Sequence, residues 1–285
     1  MLRNVRQRNA KKPVLLMLHG TGSSAAIFGI QTHSLAKELS KNFDLVFLDA
    51  PTPSAPGPGV LPLFADMPAY YQWITPGEVN LSPMARLAEI LDLVRHLQAQ
   101  LDQQSIKTEH VVGILGFSQG ALVALALLGL RLAGQSSWES LRFCVAVGAS
   151  TTGNVAQLDS IEAMTTTLST FLGREDGKFP GYSVQAAGVK DLWYRDARRI
   201  ANMCAKETTQ TMDYRDGHVV PRRRTDVLRL VQIIMDINEA SENASKRKRV
   251  AWPSITDSKP SIFARNNLGA EVPMMLQDEI KALIR

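Results

Sequence analysis

Cysteine is scarce: the 285-residue chain carries only Cys144 and Cys204, both inside apolar or helix-like stretches. They cannot build a disulfide framework or a C-x-x-C zinc clip, and a reducing compartment fits such a chain. No metal or cofactor is expected. Long apolar runs are also missing. None approaches the roughly 18 residues of a membrane span. The basic opening Met1–Arg6 has no apolar run behind it until Val14–Leu18. It therefore does not read as a secretory signal peptide. A cytoplasmic location is expected, with a mitochondrial leader as the alternative. Charge of one sign is not in large excess, since 32 basic and 27 acidic residues leave +5. That balance does not call for nucleic acid, though it suits an acidic partner. With 45% apolar and 21% charged residues, collagen-like, coiled-coil and wholly disordered chains are excluded. A chain this long buries a sizeable core unaided.

Short β-rich runs alternate with helical spacing. Strands are predicted at Val14–Leu18, Asp44–Leu48, His110–Leu115, Leu141–Val147, Val184–Gly188 and Gln210–Tyr214. Helices are predicted over Ile27–Leu39, Met84–Gln100, Gly120–Leu132, Tyr194–Lys206 and Thr225–Asn238. Alternation with strands apolar on both sides predicts an α/β fold, a mostly parallel sheet with helices on both faces. Two stretches break the rhythm. Residues 51–83 hold eight of the fourteen prolines together with Phe64, Tyr70, Tyr71 and Trp73. Such a loop is too long for a plain connection and reads as a lid or pocket wall. Residues 150–182 form a second excursion, with a helix-like piece at Ile161–Leu172. Both leave from the end of the sheet where α/β proteins bind ligands. The expected domain spans 1–240. Residues 241–285 read as a polar extension with a short terminal helix at Glu271–Ile284, and the basic run Lys246–Arg249 as solvated tail.

Gly116-Phe117-Ser118-Gln119-Gly120 places a serine between two glycines, with a strand before it and an Ala/Leu-rich helix after it. A strained strand-to-helix turn pushes such a hydroxyl out over the sheet edge, and the glycines let the two backbones approach. Ser118 is the candidate nucleophile, and the Gln119 N–H points where an oxyanion would develop. Of five histidines, only His218 follows the last strand, in Gly217-His218-Val219-Val220-Pro221. The order serine, acid, histidine then requires a carboxylate after the preceding strand. Asp191 is the candidate, with Asp196 one turn further on as the alternative; Asp216 reads as a turn former. His19-Gly20-Thr21-Gly22 is similar to an esterase His-Gly-x-Gly loop and offers the Thr21 N–H as a second oxyanion donor, with His19 structural. Tyr70, Tyr71 and Trp73 are the candidate substrate surface.

Taken together, Met17-Leu18-His19-Gly20, Phe47-Leu48-Asp49-Ala50-Pro51, the Ser118 motif, Gly188-Val189-Lys190-Asp191 and the His218 loop resemble the fungal-type family serine hydrolases of the α/β-hydrolase superfamily. The resemblance spans about residues 12–238. It implies an esterase or thioesterase, similar to enzymes that release polyketide-type acyl chains from an acyl carrier protein in secondary metabolism. The 150–182 segment is longer than usual for that family, and the tail lies outside its domain. Alternatives are lactonising release by an internal hydroxyl and a non-catalytic binding protein. A dinucleotide fold is disfavoured, because the first turn lacks its third glycine.

Overall fold

In a computed structural model of the chain, residues 12–74, 83–134, 138–151 and 174–250 are described, with positions 158–159, 161–162, 165–166, 168–169 and 172 between the last two stretches. Glu271–Ile284 lies outside them. By internal contacts the chain divides at Asn243/Ala244. Along the chain run β1 (Val14–Leu18), α1 (Ala25–Gln31), α2 (His33–Leu39), β2 (Asp44–Leu48), β3 (Thr52–Pro53), β4 (Tyr71–Gln72), α3 (Pro83–Gln103), β5 (Val111–Phe117) and α4 (Gln119–Leu132). They are followed by β6 (Phe143–Val147), β7 (Tyr182–Gly188), α5 (Tyr194–Asn202), β8 (Thr209–Tyr214) and α6 (Arg224–Val250).

Six strands form one parallel sheet in the order β2-β1-β5-β6-β7-β8. The strand side chains explain why helices cover both faces. Every residue of β1 is buried, but Val14, Leu16 and Leu18 join a core with Leu97 and Leu127, whereas Leu15 and Met17 join another with Leu35, Leu230 and Ile234. Successive strand residues point to opposite faces, so a strand apolar throughout needs a helical layer on each. β2 and β8 are the two edge strands, and because every pairing is parallel the loops after β1, β5, β7 and β8 all leave from the C-terminal edge. The residues around Thr52–Pro53 and Tyr71–Gln72 pair as a small antiparallel hairpin that the sequence pattern did not announce. Among the described residues, no helix is long and apolar enough to cross a membrane.

Three helices depart from their sequence expectation. The stretch Ile27–Leu39 is two helices, because Thr32 (φ −96°, ψ 3°) leaves helical geometry and its hydroxyl donates to the Phe28 carbonyl at 2.6 Å. α5 stops at Asn202, short of Lys206. There Phe179 draws the backbone away, its N–H donating to the Met203 carbonyl and its carbonyl accepting from the Ala205 N–H. α6 continues past Asn238 to Val250. Its apolar face ends near Ile237, but the polar residues beyond contain no glycine or proline and propagate the helix. Lys246 and Arg247 of the basic run are therefore helical.

Leu230 is fully buried under the sheet, whereas Leu228 on the same helix is 43% exposed. Leu230→Ala is expected to cost about 2–5 kcal/mol, and Leu228→Ala no more than about 1 kcal/mol. Urea unfolding of the two variants, with comparable m-values, measures both.

Candidate active site

The elbow is built by close packing of backbones. Ser118 lies between β5 and α4 with φ 54° and ψ −119°. Such a left-handed conformation costs a residue with a Cβ on the order of 1–3 kcal/mol and persists only where the surroundings enforce it. Here they do. A Cβ on Gly116 would lie 2.0 Å from the Gly120 carbonyl oxygen, and one on Gly120 would lie 2.5 Å from the carbonyl oxygens of Leu18 and His19. Only glycine permits this crossing of β5, α4 and the end of β1. The Ser118 N–H donates to the Val147 carbonyl at 2.9 Å, fixing the turn to β6 as well.

The loops after β7 and β8 bring the other groups to the serine. His218 Nε2 stands 3.0 Å from Ser118 Oγ, and His218 Nδ1 stands 2.6 Å from Asp191 Oδ2. The second carboxylate oxygen of Asp191 accepts the Trp193 backbone N–H at 2.8 Å. The Asp191 side chain is 1% exposed and the imidazole 14%, and Ser118 at the other end is also buried, so the imidazole is the member of this line that reaches solvent. The two loops are cross-tied: Val189 N–H donates to the Tyr214 carbonyl, Lys190 N–H to the Asp216 carbonyl, and the Tyr214 hydroxyl to the Val219 carbonyl at 2.6 Å. The other acids are engaged elsewhere. Asp196 accepts from the Ser150 hydroxyl at 3.4 Å, and Asp216 from the Gly217 N–H at 3.1 Å. With Nδ1–H held by a buried carboxylate, Nε2 is left to accept the serine proton, an arrangement able to generate an alkoxide-like nucleophile.

A family model described as "Serine hydrolase (FSH1)" matches residues 8–229. The chain belongs to this serine hydrolase family. It is an enzyme of the esterase and thioesterase class. It is 31% identical to "Esterase FUS5" of Gibberella moniliformis over 88% of this chain and 97% of that protein. It is 27% identical to "Thioesterase FSL2" of Gibberella zeae over 81% and 94%. A shorter match, 41% identical over 45% of this chain and 52% of the relative, is to the "Dihydromonacolin L-[lovastatin nonaketide synthase] thioesterase" of Aspergillus terreus. Among solved structures the fold is similar to Arabidopsis thaliana SOBER1, with a TM-score of 0.50 and 19% identity over 80% of this chain and 99% of that one. Esterase PE8 matches with a TM-score of 0.50 and 19% identity over 80% and 94%. These are α/β-hydrolase folds.

Around the hydrolase's elbow the remaining candidates divide. Gly20 runs beside the serine, since a Cβ on it would lie 3.2 Å from Ser118 Cβ; Thr21 follows directly. His19 is fully buried between β1 and β2, its Nδ1–H donating to the Gly20 carbonyl at 2.7 Å and its Nε2 accepting from the Ala50 N–H at 3.1 Å. Burial holds its pKa below the ordinary histidine value, so it stays a neutral strut. Gln119 contributes a side chain that sequence reasoning did not weigh: its Oε1 accepts the Trp73 N–H at 2.7 Å and its Nε2 donates to the Ile74 carbonyl at 2.8 Å. His33 and His110 are exposed, and His96 Nε2 lies 2.9 Å from the Asp49 carbonyl oxygen. Among the described residues no group of histidines, cysteines and carboxylates could hold a metal ion.

Trp73 is not the open flat surface expected of it. It is 2% exposed, its indole N–H donates to the His19 carbonyl at 2.7 Å, and its ring packs 5.0 Å from the His19 ring. Both N–H groups are satisfied inside the core, which explains its burial. Tyr70 and Tyr71 are half-buried; Tyr70 donates to the Phe64 carbonyl at 2.6 Å, and Tyr71 pairs with Ser23 beside the Thr21 loop. Trp73→Ala should lower stability by about 3–5 kcal/mol. Activity per folded molecule should then fall equally for acetyl and long-chain esters. Chemical unfolding combined with kinetics on both esters checks this. Unchanged stability with a selective loss of long-chain turnover would return Trp73 to the acyl-binding surface.

Proposed function

We propose that this serine hydrolase cleaves an acyl ester or thioester through a Ser118–His218–Asp191 relay. The observation that carries the reading is the unbroken hydrogen-bond line, 3.0 Å and 2.6 Å, from the strained serine to a buried carboxylate. Ser118 Oγ attacks the carbonyl carbon as its proton passes to His218 Nε2. Asp191 keeps the Nδ1 tautomer and stabilises the imidazolium that forms. The Thr21 and Gln119 N–H groups receive the oxyanion. Imidazolium then returns its proton to the departing alcohol or thiol, leaving an acyl-enzyme. Water, deprotonated by the same imidazole, releases the acid and restores the serine. Half-buried Tyr70 and Tyr71 offer apolar surface to the acyl chain.

The relatives' names support a substrate class. Several are named esterases or thioesterases, and the Aspergillus terreus protein's name ties it to a nonaketide synthase. We carry the class to this chain: release of a polyketide-type acyl group held as a thioester on a carrier protein, in secondary metabolism.

Ser118→Ala should fold normally and lose turnover by on the order of 10⁶, and Asp191→Asn by about 10⁴. A fluorophosphonate should add to the parent at Ser118 and not to Ser118→Ala, as read by intact mass and peptide mapping. Retention of more than about 1% of turnover by clean Ser118→Ala protein would remove the nucleophile assignment.

Charge supports an acidic carrier. Residues 195–224 hold eight basic against four acidic residues, a local excess of four. Arg199 is paired with Asp159 and Glu162, and Arg198 lies 3.5 Å from Asp213, but Lys190, Arg195, Arg215, Arg222, Arg223 and Arg224 are exposed on or beside the loops bearing Asp191 and His218. Exposed charge acts over a Debye length of about 8 Å in physiological salt and fades as salt rises. Turnover of carrier-bound thioester should therefore fall with salt while a small free thioester is little affected. Replacing Arg222, Arg223 and Arg224 with Gln should reproduce the effect for the carrier-bound substrate alone. Identical salt profiles would leave a hydrolase of free small molecules.

A further inference from the structure

The two hydrogen bonds of His218 fix two points of its ring, Nδ1 and Nε2, which leaves the imidazole free to tip about the line through them. A third contact is needed to hold its plane. Two rings supply one. Phe117 lies 4.8 Å from the imidazole centroid at an interplanar angle of 38°, and Trp193 lies 4.7 Å away at 80°. Phe117 is a β5 residue packed into the core beneath the sheet face, so its place follows from the fold. Trp193 does not share that explanation. Its ring is half-buried and joins no core cluster among the described residues.

The backbone around Trp193 is nevertheless tightly set. Its N–H donates to Asp191 Oδ1 at 2.8 Å, the Tyr194 N–H donates to the Asp191 carbonyl at 3.1 Å, and its own carbonyl accepts the Ala197 N–H as α5 begins. One residue thus grips the acid with its backbone and meets the base with its ring, from the N-cap of a helix.

We propose that Trp193 is a positioning residue for His218: its indole holds the imidazole plane in line with Ser118 Oγ and the leaving group, while its N–H holds the carboxylate that orients the same ring. The proposal rests on the relay described above. Removing the ring leaves the N–H in place and lets the imidazole tip. An ångström-scale misplacement of a reacting group costs up to about 100-fold in rate.

The test compares the parent with Trp193→Ala and Trp193→Phe on a small acetyl thioester, where contacts to the acyl chain are minimal. Trp193→Ala should lower kcat about 10–100-fold per folded molecule, with KM within about twofold of the parent. The rate of fluorophosphonate addition to Ser118 should slow in parallel, and Trp193→Phe should recover most of both rates. If the alanine variant fails to fold, Trp193→Leu takes its place. Mapping the adduct to Ser118 in the parent keeps the relay itself under separate test. A kcat within about twofold of the parent, a loss confined to KM, or a phenylalanine variant as impaired as the alanine one would each overturn the positioning role.

Discussion

The left-handed backbone of Ser118 is the constraint on which the rest of the candidate site depends. A residue with a Cβ does not hold φ 54° unaided. It is held because α4 starts so close to β1 and β5 that Gly120 and Gly116 have no room for a side chain. The same closeness brings the loop after β1 alongside the serine and puts a helix N-terminus, with its unsatisfied N–H groups, next to the hydroxyl. Strain at Ser118 and the backbone donors around it thus share one origin. A methyl group at either glycine would force the strand and helix apart and disturb all of them at once.

A second layer of polar contacts ties the long proline-rich insertion to this elbow. Gln119 sits in the first turn of α4 and uses its whole amide on the backbone of Trp73 and Ile74. Trp73 reaches back to the His19 carbonyl, and His19 spans to Ala50 at the end of β2. Away from water these bonds are strong, and leaving any one unmade costs the desolvation of its partner. An insertion with few regular elements is thereby registered against the sheet. Tyr71 completes the link by exchanging backbone hydrogen bonds with Gly22 and Ser23.

Much of the frame was legible in the sequence, and the losses have physical reasons. β1 could be bounded to the residue because a strand buried on both faces is a short apolar run, and β2, an edge strand, because its apolar run starts at the exposed Asp44. Ser118, Asp191 and His218 could be chosen from local context, since each follows a recognisable strand, and the structure places them in one line. Helix ends were harder to see. Thr32 breaks one helix as its hydroxyl bonds the Phe28 carbonyl, and Phe179 ends another by a contact made from far along the chain; neither leaves a periodicity signal. Trp73 was misread because an aromatic in a proline-rich loop looks the same in sequence whether it faces solvent or plugs a core. Only the positions of His19 and Gln119 decide it. Trp193 went unnoticed because its signal is proximity to Asp191, and that matters only after the acid is known.

The acid and the base come from different strands, yet their geometry does not depend on either long insertion. Gly188, at the end of β7, packs directly against the carbonyl oxygens of Asp216 and Gly217. Backbone bonds from Val189 and Lys190 then join the acid loop to the histidine loop. Tyr214 closes the histidine loop on itself, and its own phenol is held protonated by burial. The hydrogen-bonded line of Ser118, His218 and Asp191 is therefore braced by the sheet edge and by the start of α5. The hydrogen bonds that join Ser118, His218 and Asp191 involve no residue of 51–83 or 150–182. The register of one serine, one histidine and one carboxylate is thus set by the strand ends and the loops after β5, β7 and β8, whereas the proline-rich insertion is registered separately, through Gln119.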